Sequence, residues 1–218
     1  MLTNEYLQFF VSVYITLIVI INPIGMASFY HEITKNYPRD EQLIILRDVA
    51  IYSFSMYFGF IIFGSVILNF FGIKTPFIHI AGGLMLSYYA WKMINEETRD
   101  NDLDMKKLKK RDSITFVPLV MPITVGAGSM AAALSLGQKI ADKDLGILAL
   151  LNYSLVVAVS VSLVIATVYI TYRNANIILK YLGKRGTIVI QKISAFLLFC
   201  IGLQVLWRGV EALIKGLR

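Results

Sequence analysis

The chain has 218 residues, of which 57% are hydrophobic and only 16% are charged, and its mean hydropathy is +0.67. Soluble domains are about a quarter charged, so this composition excludes a mainly soluble protein and predicts an integral membrane protein. The single cysteine, Cys200, excludes an intrachain disulfide and argues against a thiolate metal centre, and we expect no cofactor and no metal.

Long uncharged segments predict the membrane spans. A helix that crosses the hydrocarbon core needs about 20 apolar residues at a rise of 1.5 Å each. Six segments approach or exceed this length: 6–30, 49–73, 75–91, 113–138, 145–172 and 193–207. The sixth is short, but it reaches back to Gly186 if the Lys192 ammonium lies at the interface. The predicted fold is therefore an all-α polytopic membrane protein with six spans.

The basic residues predict the orientation of these spans. Loops 31–48, 92–112 and 173–192, which lie on one face of a six-span protein, hold 15 of the 21 basic residues. Positively charged loops remain in the cytoplasm, so both termini are predicted to lie outside it. Because the basic residues are distributed in this way, we expect the partner of the protein to be the lipid bilayer of the inner (plasma) membrane. We do not expect it to bind nucleic acid.

The charged segment 96–112 divides the chain into two halves, 1–95 and 113–218, with three predicted spans each. Because three is an odd number, the second half enters the membrane in the opposite sense, which predicts an inverted-topology repeat. Two further features recur in both halves. Each half begins with a span that contains helix breakers, and a Gly (Gly72 or Gly183) precedes the last span at nearly equal distance.

The helix breakers predict the functional site. The first set is Asn-Pro-Ile-Gly at 22–25, and the second is the segment 118–128, with two prolines and two glycines. A proline inside a helix removes a backbone hydrogen bond, and unsatisfied backbone groups are tolerated at membrane depth only against protein or a polar cavity. Paired breaks in corresponding positions indicate a transporter's substrate site. The predicted substrate-binding residues are Asn22, Pro23, Gly25, Pro122, Thr124, Gly126 and Gly128.

The chemistry available to such a site is that of amides, hydroxyls and backbone, because no charged residue lies deep in any predicted span. A helix N-terminus attracts a carboxylate, and opened carbonyls with the Asn22 oxygen can accept from an ammonium group or ligate sodium. This donor set suits a zwitterion or a neutral polar solute. Asn22 is equally suited to cap the half-helix that follows it.

Other polar and small residues of the spans have simpler interpretations. The hydroxyl of Ser129 is expected to bond its own preceding turn. His79 is interpreted as an interfacial histidine, with a gate or proton carrier as the alternative. Ala158, Ser162 and Ala166 recur every fourth residue in span five and predict close packing of that helix against another.

These motifs resemble the MarC family of bacterial and archaeal inner-membrane proteins, described as neutral amino acid transporters. The resemblance is carried by residues 22–25 and by 116–129 (Phe-Val-Pro-Leu-Val-Met-Pro-Ile-Thr-Val-Gly-Ala-Gly-Ser), and its order and spacing extend over the whole chain. The family usually has Gly-Pro-Gly where this chain has Gly-Ala-Gly at 126–128. The resemblance implies six spans, two repeats and transport of small neutral amino acids such as glycine, alanine or serine.

Other functions fit the same sequence. A non-transporting scaffold or assembly protein would need the breaks only for packing, and an exporter of another small neutral solute would use the same site. An enzyme is not expected, because no nucleophile–base pair or metal-ligand cluster is found at membrane depth. The coupling ion (sodium or proton), the direction of transport and assembly into a homo-oligomer stay open at this stage.

Overall fold

The computed structural model describes residues 2–95, 114–141 and 146–216, and every regular element in these ranges is helical. The predicted linker 96–112 lies outside the described residues. The elements are α1 (Leu2–Ile21), α2 (Pro23–Thr34), α3 (Arg39–Phe70), α4 (Thr75–Asn95), a π-helix (Thr115–Thr124), α5 (Ala127–Ala141), α6 (Ile147–Arg173) and α7 (Ala175–Gly216).

Four helices of the described part are long and apolar enough to cross a membrane. They cover Asn4–Ile21, Arg39–Phe70, Ile147–Arg173 and Ile188–Lys215, and they correspond to the predicted spans one, two, five and six. Predicted span three is the 21-residue helix α4, and predicted span four is divided between the π-helix and α5. The fold is therefore that of a helical, multi-pass membrane protein.

The segment 173–192 was predicted as a loop, and this prediction was wrong. Helix α6 ends at Arg173, a single turn residue, Asn174, follows, and α7 begins at Ala175. The basic residues of this segment lie on a helix because no proline interrupts it. Within α7, Gly183 has non-helical backbone angles (φ 63°, ψ 175°) and marks a kink.

The main hydrophobic core lies between α1, α3 and α6, whose buried faces carry mostly β-branched and leucine side chains. Its fully buried members include Val13, Leu17, Ile45, Val49, Ile61, Val157, Val161 and Val164. On the other side of α1, Leu7 and Ile15 are more than half exposed. Because the chain is a membrane protein, we assign such exposed apolar faces to the lipid.

The small residues of span five do not pack as predicted. Ser162 and Ala166 are exposed, and only Ala158 is half-buried. The valines on the opposite face of α6 fill the core instead, because the larger side chains bury more apolar surface there. The predicted packing stripe was therefore wrong.

Close helix contact occurs instead between α4 and α7. A Cβ added at Gly83 would lie 2.4 Å from the Leu206 backbone nitrogen, and one at Gly202 would lie 2.4 Å from Ser87 Oγ. A Cβ at Gly209 would meet the Pro76 carbonyl oxygen at 2.6 Å. The glycines thus let the two backbones approach more closely than any side chain would allow, which is the usual basis of tight helix packing in lipid.

Candidate functional site

The first break consists of one residue, Asn22, which has left-handed backbone angles (φ 48°, ψ 64°). Its N–H donates to the Ile18 carbonyl and closes α1, and its own carbonyl accepts from the Met26 N–H and opens α2, both at 3.0 Å. Its side-chain Oδ1 accepts from the Gly25 N–H at 3.3 Å. Asn is among the few residues that tolerate this conformation, and Pro23 suits the first helical position because its missing N–H is not needed there.

The first break is also tightly packed. A Cβ on Gly25 would lie 2.5 Å from Asn22 Nδ2 and 3.1 Å from the Ser194 Cβ of α7. Pro23 and Gly25 are buried and Asn22 is half-buried. The three predicted residues of this break therefore cap α2 and hold it against α7.

The second break begins as a π-helix, Thr115–Thr124, and ends in two non-helical residues, Val125 and Gly126. The wide turn is visible in the bond from the Val125 N–H to the Val120 carbonyl (2.7 Å), five residues back. The two prolines of this segment supply no N–H and disfavour the normal turn, which explains the rarer geometry. The Thr124 hydroxyl donates to the Leu119 carbonyl at 2.9 Å and so satisfies a backbone group within the wide turn.

Tyr57 of α3 connects its helix to both sides of this break. Its hydroxyl lies 2.6 Å from the Thr124 carbonyl oxygen and 2.9 Å from Ser129 Oγ, and the whole side chain is buried. Ser129 in turn donates to the Gly126 carbonyl at 2.9 Å, which confirms the expected bond to its own preceding turn. The tyrosine thus fixes the last residue of the π-helix relative to the first turn of α5.

Replacing Tyr57 with Phe should destabilise the protein without loss of packing, because it removes only the hydroxyl. Interhelical hydrogen bonds in membranes contribute about 0.6 to 1.7 kcal/mol, and we expect a loss within this range. Denaturant unfolding in detergent measures it. Tyr52→Phe on the same helix is the matched control, since the Tyr52 ring is 46% exposed. Equal effects of the two substitutions would contradict the assignment.

A cavity of about 190 Å³ lies between the two breaks. Its wall is formed by residues on both sides of the first break, by the second break, by the last turns of α4 and by one residue of α7. These residues are Ile20, Ile21, Met26, Phe29, Leu86, Tyr89, Ala90, Lys92, Ile123, Thr124, Gly126, Gly128, Ser129 and Leu198. The wall is mainly apolar, with hydroxyls and glycine backbone at the second break and a tyrosine and a lysine at the end of α4.

The predicted site residues are divided by this cavity. Thr124, Gly126 and Gly128 line it, whereas Asn22, Pro23 and Gly25 lie in the packing of α2 beside it. Pro122 belongs to the π-helix, and its side chain lies outside the described residues. Residues of the second break therefore line the cavity themselves. At the first break, the neighbouring residues Ile20, Ile21 and Met26 line it instead.

Sequence reasoning missed Lys92, Tyr89 and Tyr57. Lys92 was assigned to a cytoplasmic loop, but it lies on the last turn of α4 and contributes the one charged side chain among the described residues of the cavity wall. A signal for Tyr57 was present in the sequence, because a hydroxyl within an uncharged span needs a hydrogen-bond partner. Tyr89 and Lys92, at the end of a span, carried no comparable signal.

Paired helix breaks around a cavity, within a bundle of long apolar helices, define a polytopic membrane protein with irregular backbone turned away from lipid. The family described as MarC family integral membrane protein matches residues 7–214. The chain therefore belongs to the MarC family.

Several relatives are similar over nearly their full length. A UPF0056 membrane protein of Methanocaldococcus jannaschii is 27% identical over 219 residues, covering 98% of this chain and 91% of the relative. The UPF0056 membrane protein YvbG of Bacillus subtilis is 27% identical, with 96% of this chain and 98% of the relative covered. The UPF0056 inner membrane protein MarC of Escherichia coli is 25% identical, with 92% and 93% covered. No solved structure matches the chain.

Proposed function

We propose that this protein is a secondary carrier of small neutral amino acids such as glycine, alanine or serine in the cell inner membrane, with the cavity between the two breaks as its solute site. The observation that carries the proposal is that one cavity is bordered by the residues around both helix breaks. Interrupted helices that meet at a cavity are the arrangement by which many carriers bind solutes. The location is supported by the Escherichia coli relative, whose name is that of an inner membrane protein.

The size and wall of the cavity favour a small amphiphilic solute. Its volume of about 190 Å³ is below the roughly 300–1,000 Å³ of pockets for drug-sized ligands. The first turn of α5, which includes Gly128 and Ser129, presents backbone N–H groups that lack acceptors within the helix, and such groups attract a carboxylate. The apolar part of the wall, with Ile20, Leu86 and Leu198, suits a short aliphatic side chain.

We also propose that residues 1–95 and 113–218 form an inverted repeat of three spans each. Under that exchange, α1–α2 corresponds to the π-helix with α5, α3 to α6, and α4 to α7. The pair α3–α5 then exchanges with α6–α2, and the pair α1–α6 exchanges with the π-helix and α3. The pairs α4–α7 and α3–α6 map onto themselves, and all six pairs are in contact. Gly72 and Gly183, which precede the last span of each half, share left-handed φ values of 65° and 63°.

The proposal is tested with purified protein reconstituted into liposomes. Vesicles preloaded with unlabelled glycine, alanine or serine should accumulate the labelled amino acid by counterflow, and empty vesicles should not. Uptake of the labelled amino acid is then compared under an imposed sodium gradient and under an imposed proton gradient, and the gradient that drives uptake identifies the coupling ion. Vesicles inert to all three solutes and to other small neutral compounds would contradict the carrier function and favour the scaffold alternative.

Two substitutions at Asn22 separate its side chain from its backbone. Glycine adopts left-handed angles freely, whereas alanine does not. Asn22→Ala should therefore abolish counterflow whether Asn22 caps α2 or binds the solute, because the left-handed break and the side-chain cap are both lost. Asn22→Gly keeps the break. Transport retained by Asn22→Gly assigns Asn22 to the left-handed backbone of the break. Transport lost in a stably folded Asn22→Gly protein assigns the function to its side chain, as the cap of α2 or as a solute ligand.

A further inference from the structure

A second cavity lies at the other end of the helix pair that borders the first. Its volume is about 400 Å³, and its wall is formed by the α3–α4 turn, the start of α4 and one residue near the end of α5. The wall residues are Asn69, Gly72, Ile73, Lys74, Thr75, Pro76 and Gln138. Polar side chains, those of Asn69, Lys74, Thr75 and Gln138, form a larger share of this wall than of the first.

Helices α4 and α5 run antiparallel along a seam that joins the two cavities. At the first cavity, Gly128 packs against Leu86, since an added Cβ would lie 2.9 Å from the Leu86 Cβ. At the second cavity, Gln138 Nε2 donates to Thr75 Oγ1 at 3.0 Å. The ten residues from Gly128 to Gln138 correspond to about 15 Å of helix, which is roughly half the thickness of the hydrocarbon core.

A cross-helix hydrogen bond closes the seam between these points. His79 Nε2 of α4 lies 2.6 Å from Ser135 Oγ of α5. The serine hydroxyl donates to the Ala131 carbonyl at 2.8 Å, so the imidazole Nε2–H is the donor to Ser135. On the first-cavity side of this bond, α5 presents only small buried side chains, Ala131 and Ala132.

We infer that the second cavity is the opposite mouth of the same solute pathway, and that the pairs His79–Ser135 and Thr75–Gln138 keep this mouth closed in the present conformation. The inference rests on the proposed function, because only an alternating-access carrier needs a second mouth. Tyr89 and Lys92, which line the first cavity at the end of α4, are exposed, and we place the opening of this cavity there. The second is separated from it by two polar bonds and by a short stretch of α5 that carries the small side chains of Ala131 and Ala132.

The inference is tested by thiol accessibility in a background that carries Cys200→Ser, since Cys200 is the single cysteine. Ala132→Cys places a thiol on the seam between the closing bonds and the first cavity. A membrane-impermeant cationic methanethiosulfonate reagent is applied to right-side-out and to inside-out vesicles. Lys74→Cys, labelled in parallel, identifies which vesicle face carries the second cavity.

Ser135→Ala should raise the labelling rate of the Ala132→Cys thiol from the Lys74 face by about three-fold to twenty-fold, the range that one interhelical hydrogen bond in a membrane spans. The matched control is Ser55→Ala, because the Ser55 hydroxyl bonds only its own preceding turn, at the Ile51 carbonyl (2.9 Å), on an exposed face. Gln138→Ala should raise the rate in the same direction. Unchanged labelling in both variants, or an equal rise from both faces, would overturn the inference.

A second experiment closes the mouth. The substitutions His79→Cys and Ser135→Cys are combined in the Cys200→Ser background, and the two thiols are joined by a short bifunctional methanethiosulfonate linker that a reductant releases. Cross-linking should stop counterflow, and reduction should restore it. Accessibility is measured without any solute, so a seam that opens in a protein without transport would contradict the proposed function alone.

Discussion

Replacing Met26 with Trp is expected to abolish counterflow of labelled glycine and alanine while the protein remains folded. Met26 is half-buried, lies one turn after the first break and belongs to the wall of the first cavity. The larger indole side chain would extend into the cavity of about 190 Å³ and occupy space that the proposal assigns to the solute. The substitution therefore removes the site by volume and leaves the polar groups of the second break unchanged.

The control for this substitution is Ile24→Trp. Ile24 belongs to the same helix, α2, but its side chain is 55% exposed and does not line the cavity. It should transport at close to the rate of the unmodified protein. If both variants lose transport, the loss comes from the packing of α2, and if neither does, the solute site lies elsewhere.

Gly83→Ala should produce a large loss of stability. The added Cβ would lie 2.4 Å from the Leu206 backbone nitrogen and 2.7 Å from the Gly202 carbonyl oxygen, so α4 and α7 must separate. Overpacking of this kind costs about 1–3 kcal/mol. Denaturant unfolding in detergent, followed by helical circular dichroism, should show a corresponding fall in the transition midpoint.

Gly59→Ala provides a control with the opposite sign. Gly59 lies in the middle of α3, and an added Cβ there would meet nothing within 4 Å. Alanine is favoured over glycine inside a helix by about 0.5–1 kcal/mol, so this variant should be more stable than the unmodified protein. The same fall in stability for both glycines would mean that α4 and α7 are not held together by close backbone approach.

The helix breaks show how far a local pattern predicts local structure. The sequence Asn-Pro-Ile-Gly predicts a helix start, because Asn caps and Pro fits the first position, and α2 begins at Pro23. The prolines at 118 and 122 predict a disturbed helix, and a π-helix covers them. The predicted open backbone is short, however, with one residue at the first break and two at the second. The Asn22 cap and the wide turn of the π-helix supply hydrogen-bond partners for backbone groups that the two breaks would otherwise leave unpaired.

Long-range contacts were predicted less well, because they depend on which faces meet. The stripe of small residues on α6 has the same spacing as a packing motif, yet the valines on the other face are buried. Gly83 and Gly202, which hold α4 to α7, follow no regular repeat that distinguishes them from other glycines. The bond between His79 and Ser135 joins residues 56 positions apart, and the sequence favoured an interfacial histidine instead.

By itself, the sequence determined three things: that the protein is a helical membrane protein, at which residues its helices are interrupted, and which family it resembles. Composition, the length of an uncharged segment and the position of a proline determine the structure of a single segment. They can therefore be interpreted without knowing which helices pack against it. Only the tertiary structure decided that Thr124, Gly126 and Gly128 border a cavity while Asn22, Pro23 and Gly25 pack beside it. The physical reason is that a cavity is the space left between several helices, and its wall depends on their relative rotation and separation, which no single segment encodes.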